Sequence, residues 1–384
     1  MATDETQDKG RHIASHAAIR GIAAAMVVVY HLREGALYLH PRLPHPSAME
    51  RWYLLVDVFF ILSGFVITYA AAPDGKPLDR AQILRFWRAR AARIYPLHLF
   101  CTALLLTIAA AGALNALRRG DALDPMWSPA GLGWVLQEAA LVHSLGLPGF
   151  RFLNPVSWSL SAEMGAYLLF PALLTVAARR GGTWLLLGLS AGFYAFLLIE
   201  GRTLQIAYGL APLRCLAAFV VGLAICLDRS LWARLSGRAC DVLTATGAAG
   251  FALVLATGLH DVLAIPFAAL AVAAAWPDRG RIAAFLARPS LQYLGEISFS
   301  LYLMHWVSLI VVTNLWMHGV SRLGLPYWAE QTGWIAAVVL LSLPAAALTH
   351  RFVERPALHR FRQARRAGTS AGLRPAPLAR GSGG

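Results

Sequence analysis

LLVDVFFILSGFVITYAAA, residues 54–72, carries one charged residue, Asp57, in nineteen. As a helix it would rise about 1.5 Å per residue and reach roughly 28 Å, close to the thickness of a bilayer's hydrocarbon core. The pattern recurs on both sides of it. Apolar runs at 17–37, 94–112, 158–178, 183–199, 207–227, 240–258, 261–276, 297–317 and 333–353 bring the expected spans to ten. The run 133–146, broken by Gln137, Glu138 and His143, is short and reads as a re-entrant or interfacial segment, with crossing as the alternative.

The composition agrees. Of 384 residues 58% are hydrophobic and 14% charged, where an ordinary soluble domain carries roughly 25% charge. So few charges could not cover the surface of a soluble globule this size. The expected fold is therefore an all-α polytopic membrane bundle of about ten helices. The chain divides into a polar N-terminal tail (1–15), a transmembrane domain (16–356) and a basic, disordered C-terminal tail (357–384) held to anionic lipid. The N-terminus lacks the pattern of a cleaved signal. Four cysteines stand singly, and no Cys/His spacing suits a metal, so no metal is expected.

The net charge of +14 comes from 34 Lys+Arg against 20 Asp+Glu. An even span count puts both termini on one side. With that side cytoplasmic, most of the cations fall in cytoplasmic segments, as the positive-inside rule requires. The excess charge then reports topology, and no nucleic-acid partner is needed.

Ionisable groups within a bilayer are costly and ask for a reason. Arg20 and His31 are 11 residues apart, three helical turns plus about 20°, so they share a face roughly 16 Å apart along the axis. Asp57 enters the second span, and Trp158, Ser159 and Glu163 open the fourth. His305 lies deep in the ninth beside Trp306. Arg85, Arg88, Arg90 and Arg93 lead into the third, with Arg90 and Arg93 spaced i,i+3 to grip a phosphate. A neutral histidine oriented by a carboxylate suits proton abstraction from a hydroxyl. Plainer readings stand beside these. Arg20 can snorkel to the interface, and the arginines of 85–93 can serve topology alone. Glu163 can cap its helix, Asp57 can be an ordinary interfacial acid, and Trp158 and Trp306 can belong to an aromatic belt.

Six stretches occur in an order that resembles one family: IRGIAAAMVVVYH (19–31), VDVFFILSGFVIT (56–68), FWRARAARIYPLHL (86–99), NPVSWSLSAEMGAYLLFP (154–171), LGEISFSLYLMHW (294–306) and FVERP (352–356). Together they resemble the acyltransferase 3 family of membrane O-acyltransferases, nearest the exopolysaccharide acetyltransferase type. The resemblance implies an inner-membrane enzyme that moves an acyl group, usually acetyl, from cytoplasmic acyl-CoA to a hydroxyl of a glycan or lipid-linked saccharide. It implies no permanently bound cofactor, with acyl-CoA as co-substrate and the polysaccharide-synthesis machinery as a further partner. By it, His31 is the essential histidine and Arg20 its motif partner; Arg90 and Arg93 serve the acyl-CoA end, and Glu163 lines the active site. Asp57, Trp158, Ser159 and His305 are expected as substrate contacts. One departure is Ala17, where many members carry Asp three residues before the motif arginine. Direct transfer and an acyl-histidine relay both remain open. A saccharide carrier is the competing class; midplane charges suit it too, and it predicts inverted repeats, which the sequence lacks.

Overall fold

The computed structural model describes residues 12–39, 49–148, 152–361 and 363. The N-terminal tail up to residue 11 and most of the C-terminal tail lie outside the described residues, as do residues 40–48 and 149–151. Every regular element described is helical, with no strand among the described residues. In chain order the helices are α1 (Ala14–Leu39), α2 (Leu55–Ala71), α3 (Arg80–Arg119), α4 (Pro129–Ala139), α5 (Trp158–Ala177), α6 (Gly182–Ile199) and α7 (Ala211–Leu227). There follow α8 (Arg229–Trp232), α9 (Gly237–Thr257), α10 (Ala264–Ala275), α11 (Gly280–Leu286), α12 (Pro289–His318) and α13 (Tyr327–Thr349).

All ten expected spans are helical. Among the described residues eight helices are long and apolar enough to cross a membrane, and the chain is a multi-pass membrane protein. The other two depart from a full span. α7 is 17 residues long, and the stretch Asp261–Ala275 breaks from α11 at an angle of 87°. Pro277 follows the first piece, and Asp278 takes a left-handed φ of 50°, so the helix cannot run on. The run 133–146 becomes the 11-residue α4 and a 3-10 turn at His143–Leu145, too short to cross.

α3 is longer than its apolar stretch predicts. Asp79 and Gln82 form a reciprocal capping box at its start, and Gly120 ends it with φ 75°. Its 40 residues span about 60 Å, so the turns that carry Arg85, Arg88, Arg90 and Arg93 belong to the helix itself. α1 has no cap of its own. Both carboxylate oxygens of Asp278 accept from the Ala14 and Ser15 amides at 2.8 Å, supplying a cap from across the chain.

Two helix crossings set the core, and both rest on missing side chains. A Cβ on Gly64 of α2 would lie 2.0 Å from the Phe219 carbonyl oxygen of α7, and one on Gly222 would lie 1.9 Å from that of Ile61. In α1 and α12, a Cβ on Gly21 would meet the Gly295 nitrogen at 2.6 Å, and one on Gly295 the Ala17 carbonyl oxygen at 2.3 Å. Backbones approach this closely only at glycine, the way membrane helices associate where water provides no drive. The second crossing positions the site. It holds α1 and α12 parallel, with Arg20 at one level and His31 two to three turns further along the same partner. The Gln292 amide donates to the Ala14 carbonyl, and the Ser300 hydroxyl to Glu354.

Candidate active site

A cavity between α1, α2, α3, α5 and α12 reaches from His12 and Ile13 to Ser159 and Tyr302. It gathers Arg20, Arg90, Arg93, Glu163 and Ser159, five of the nine expected site residues, from helices far apart in sequence.

The arginines differ in what holds them. Arg20 donates through Nε to the Ser298 hydroxyl at 3.0 Å and through Nη2 to the Gly295 carbonyl at 3.1 Å. These contacts replace the carboxylate that Ala17 cannot offer, and Ala17 instead provides the small surface on which Gly295 packs. Arg93 pairs with Glu354, whose other oxygen accepts from the Ser300 hydroxyl at 2.7 Å. Glu354 belongs to FVERP, a stretch recognised in the sequence without a role for its acid. Arg90 has a buried Nε with no hydrogen-bond partner, and among the described residues it makes no ion pair. Arg20 likewise makes no ion pair among the described residues, so two of the three arginines have no carboxylate within ion-pair distance, with Glu163 in the same cavity.

Glu163 accepts a hydrogen bond from Tyr167 one turn along α5, and the Tyr167 hydroxyl is 3.0 Å from that of Ser63. Glu163 sits in the arginine-lined cavity because α5 enters the bundle beside α2 and α3.

His31 lies beyond the cavity's inner end. Its ring stacks on His305 with centroids 5.3 Å apart and meets Trp306 edge-on at 5.5 Å. Phe59 and Tyr302 pack edge to face at 5.7 Å between the cavity and these rings, and Tyr302 touches His305 at 6.1 Å. The Tyr302 hydroxyl is 2.7 Å from that of Ser159 and donates to the Val156 carbonyl. Tyr302, which lines the cavity, is thus the residue through which it meets the His31–His305 pair.

Asp57 and Trp158 do not line this cavity. Asp57 is fully buried and takes both hydrogen bonds of Arg214, Nη2 at 2.7 Å and Nε at 3.1 Å. Arg214 also donates to the Tyr53 and Ile206 carbonyls and lies 5.0 Å over the Trp158 ring. The acid that looked available to substrate is half of a buried ion pair. Its partner was visible in the sequence as a lone arginine within a span, which cannot stay there unpaired.

A second polar cluster escaped the sequence reading. The Ser157 hydroxyl donates to Glu138 and lies 3.0 Å from His143 Nε2, while His98 Nε2 bonds to the Glu138 carbonyl at 2.8 Å. All four residues are buried. Desolvation pushes the Glu138 carboxyl up to about 7 against the pull of Ser157 and two backbone amides, and desolvation with the nearby His98 brings His143 down to about 4. Glu138 favours the folded state most when protonated, so its contribution is complete below about pH 4.5 and lost as pH rises through about 7. Glu138→Gln removes that loss. It should raise Tm by roughly 3–5 °C at pH 8.5 and leave it nearly unchanged at pH 4.5, read by thermal melting in detergent.

Residues 16–350 match the family described as "Acyltransferase domain". The chain is 28% identical to the acyltransferase MdmB of Streptomyces mycarofaciens over 79% of its own length and 80% of that protein's. It is 24% identical to the O-acetyltransferase OatA of Staphylococcus aureus over 88% of its length, and to YrhL of Bacillus subtilis, provisionally named a peptidoglycan O-acetyltransferase, over 90%. It spans only about half of those two, 56% and 55%. No solved structure matches the chain.

Proposed function

This chain belongs to the acyltransferase-domain family, and from that premise we propose that it is an O-acyltransferase moving an acyl group, acetyl by preference, from acyl-CoA to a hydroxyl of a cell-surface or exported glycan. One observation carries the reading. Three arginines converge at one end of a cavity, Arg90 with no ion-pair partner among the described residues, and the other end abuts the His31–His305 pair through Tyr302.

The arginine-rich end faces the cytoplasm of an inner membrane, in keeping with the distribution of cations along the chain. The donor's phosphates bind Arg90 first, with Arg93 and Arg20 adding charge from fixed positions. The thioester passes Phe59 and Tyr302, which rotate aside, and reaches His31. The acceptor oxygen attacks the thioester carbonyl as its proton passes to His31; the carbon–sulfur bond breaks, and the departing thiolate takes the proton back. Glu163, bonded through Tyr167 and Ser63, shapes the donor end of the cavity.

Membranes bearing the protein and supplied with acetyl-labelled acetyl-CoA test the reading. Label should appear on envelope glycan; label that stays on CoA rejects it and favours a carrier. In the same assay Arg90→Ala should raise the KM for acetyl-CoA about 10- to 100-fold and leave the acceptor KM unchanged.

A further inference from the structure

α12 holds His305 inside the protein at 1% exposure. Its Nδ1 lies 3.2 Å from the Leu301 carbonyl oxygen one turn back. A carbonyl only accepts, so Nδ1 bears the ring proton and Nε2 is a bare lone pair. That Nε2 is buried and has no hydrogen-bond partner, although buried polar atoms in folded proteins are nearly always bonded. The nearest rings do not satisfy it. His31 is stacked with an interplanar angle of 29°, and the Tyr302 hydroxyl is turned to Ser159 and Val156.

We propose that the missing donor is a hydroxyl of the acceptor adjacent to the one that reacts, so that His305 is a substrate-contacting residue that sets which hydroxyl meets His31. The assignment rests on the acyl-transfer reading above. In that reaction the attacking hydroxyl has a single proton, and His31 takes it as the new carbon–oxygen bond forms and the carbon–sulfur bond breaks. One proton cannot satisfy two imidazoles, so the donor to His305 is a second hydroxyl. The site is thereby built for an acceptor with neighbouring hydroxyls, a saccharide or similar polyol, and handles a lone alcohol less well.

Two variants separate contact from packing. His305→Leu fills the space and removes the acceptor, whereas His305→Gln keeps a side-chain oxygen to receive the bond. With membrane-embedded full-length protein, acetyl-labelled acetyl-CoA and envelope polysaccharide as acceptor, His305→Leu should lower kcat/KM for the acceptor about 10- to 100-fold. His305→Gln should stay within about fivefold of wild type, and KM for acetyl-CoA should be unchanged in both. A leucine variant as active as wild type overturns the proposal and leaves a trapped water as the donor. Equal loss in both variants with a raised donor KM overturns it in favour of packing. If the leucine variant fails to accumulate, the glutamine variant still decides, since a stable but inactive glutamine protein contradicts the proposal. A wild-type protein that moves no label at all refutes the acyl-transfer reading instead.

Discussion

His31→Ala should abolish acyl transfer, lowering the rate between about a hundredfold and ten-thousandfold, the range a positioned general base contributes. The amount of protein in the membrane should not change. The ring is only part-buried and stands at the far side of the α1–α12 contact, against His305 and Trp306. The packing that holds these helices together is centred elsewhere, at Gly21, Ala17 and Gly295. Losing the imidazole therefore removes chemistry and leaves the crossing intact. The measurement is label transferred from acetyl-CoA to glycan, beside a membrane immunoblot. Acylation retained in a well-expressed His31→Ala protein would exclude the ring as base and as acyl carrier alike.

The second large effect is on stability. Asp57→Ala leaves the Arg214 guanidinium buried at 1% exposure without a carboxylate, and breaking such a pair costs about 3–5 kcal/mol. The Tyr53 and Ile206 carbonyls still accept from Arg214, but they do not cancel its charge. A sharp fall in membrane yield and in detergent Tm is expected. Asp57→Leu combined with Arg214→Met should recover much of it, because an apolar pair of similar volume needs no desolvation of charge. Were Asp57 instead a contact for substrate, Asp57→Asn would raise the acceptor KM and leave Tm in place. Measuring both quantities on that variant separates the two roles.

The bundle was legible in the sequence because lipid leaves the backbone few choices. Ten apolar runs gave ten helices, and the 11-residue step from Arg20 to His31 put both on the face that meets α12. Where local sequence interrupts a run, the prediction weakened. Pro277 and Asp278 break one span, and the capping box at Asp79 starts α3 well before its apolar stretch begins. The site was legible as a set of residue types and depths but not as a set of partners. Asp57 and Glu163 look alike in sequence, each a carboxylate near the start of a span. One is saturated by Arg214, and the other sits with the arginines through Tyr167 and Ser63. Glu138 and His143 read as mere breaks in an apolar stretch until folding buried them with Ser157.

Periodicity and hydropathy are properties of one helix at a time, and so the chain alone determined that this is a polytopic helical membrane protein with a histidine and arginines inside it. Which charges neutralise each other depends on which helices touch. That was decided by the close crossings of α2 with α7 and α1 with α12, where glycines bring together residues more than a hundred positions apart. Only there does it emerge that Arg90 makes no ion pair among the described residues, that Arg20 rests on Ser298 and Gly295, and that His31 has a second imidazole for a neighbour.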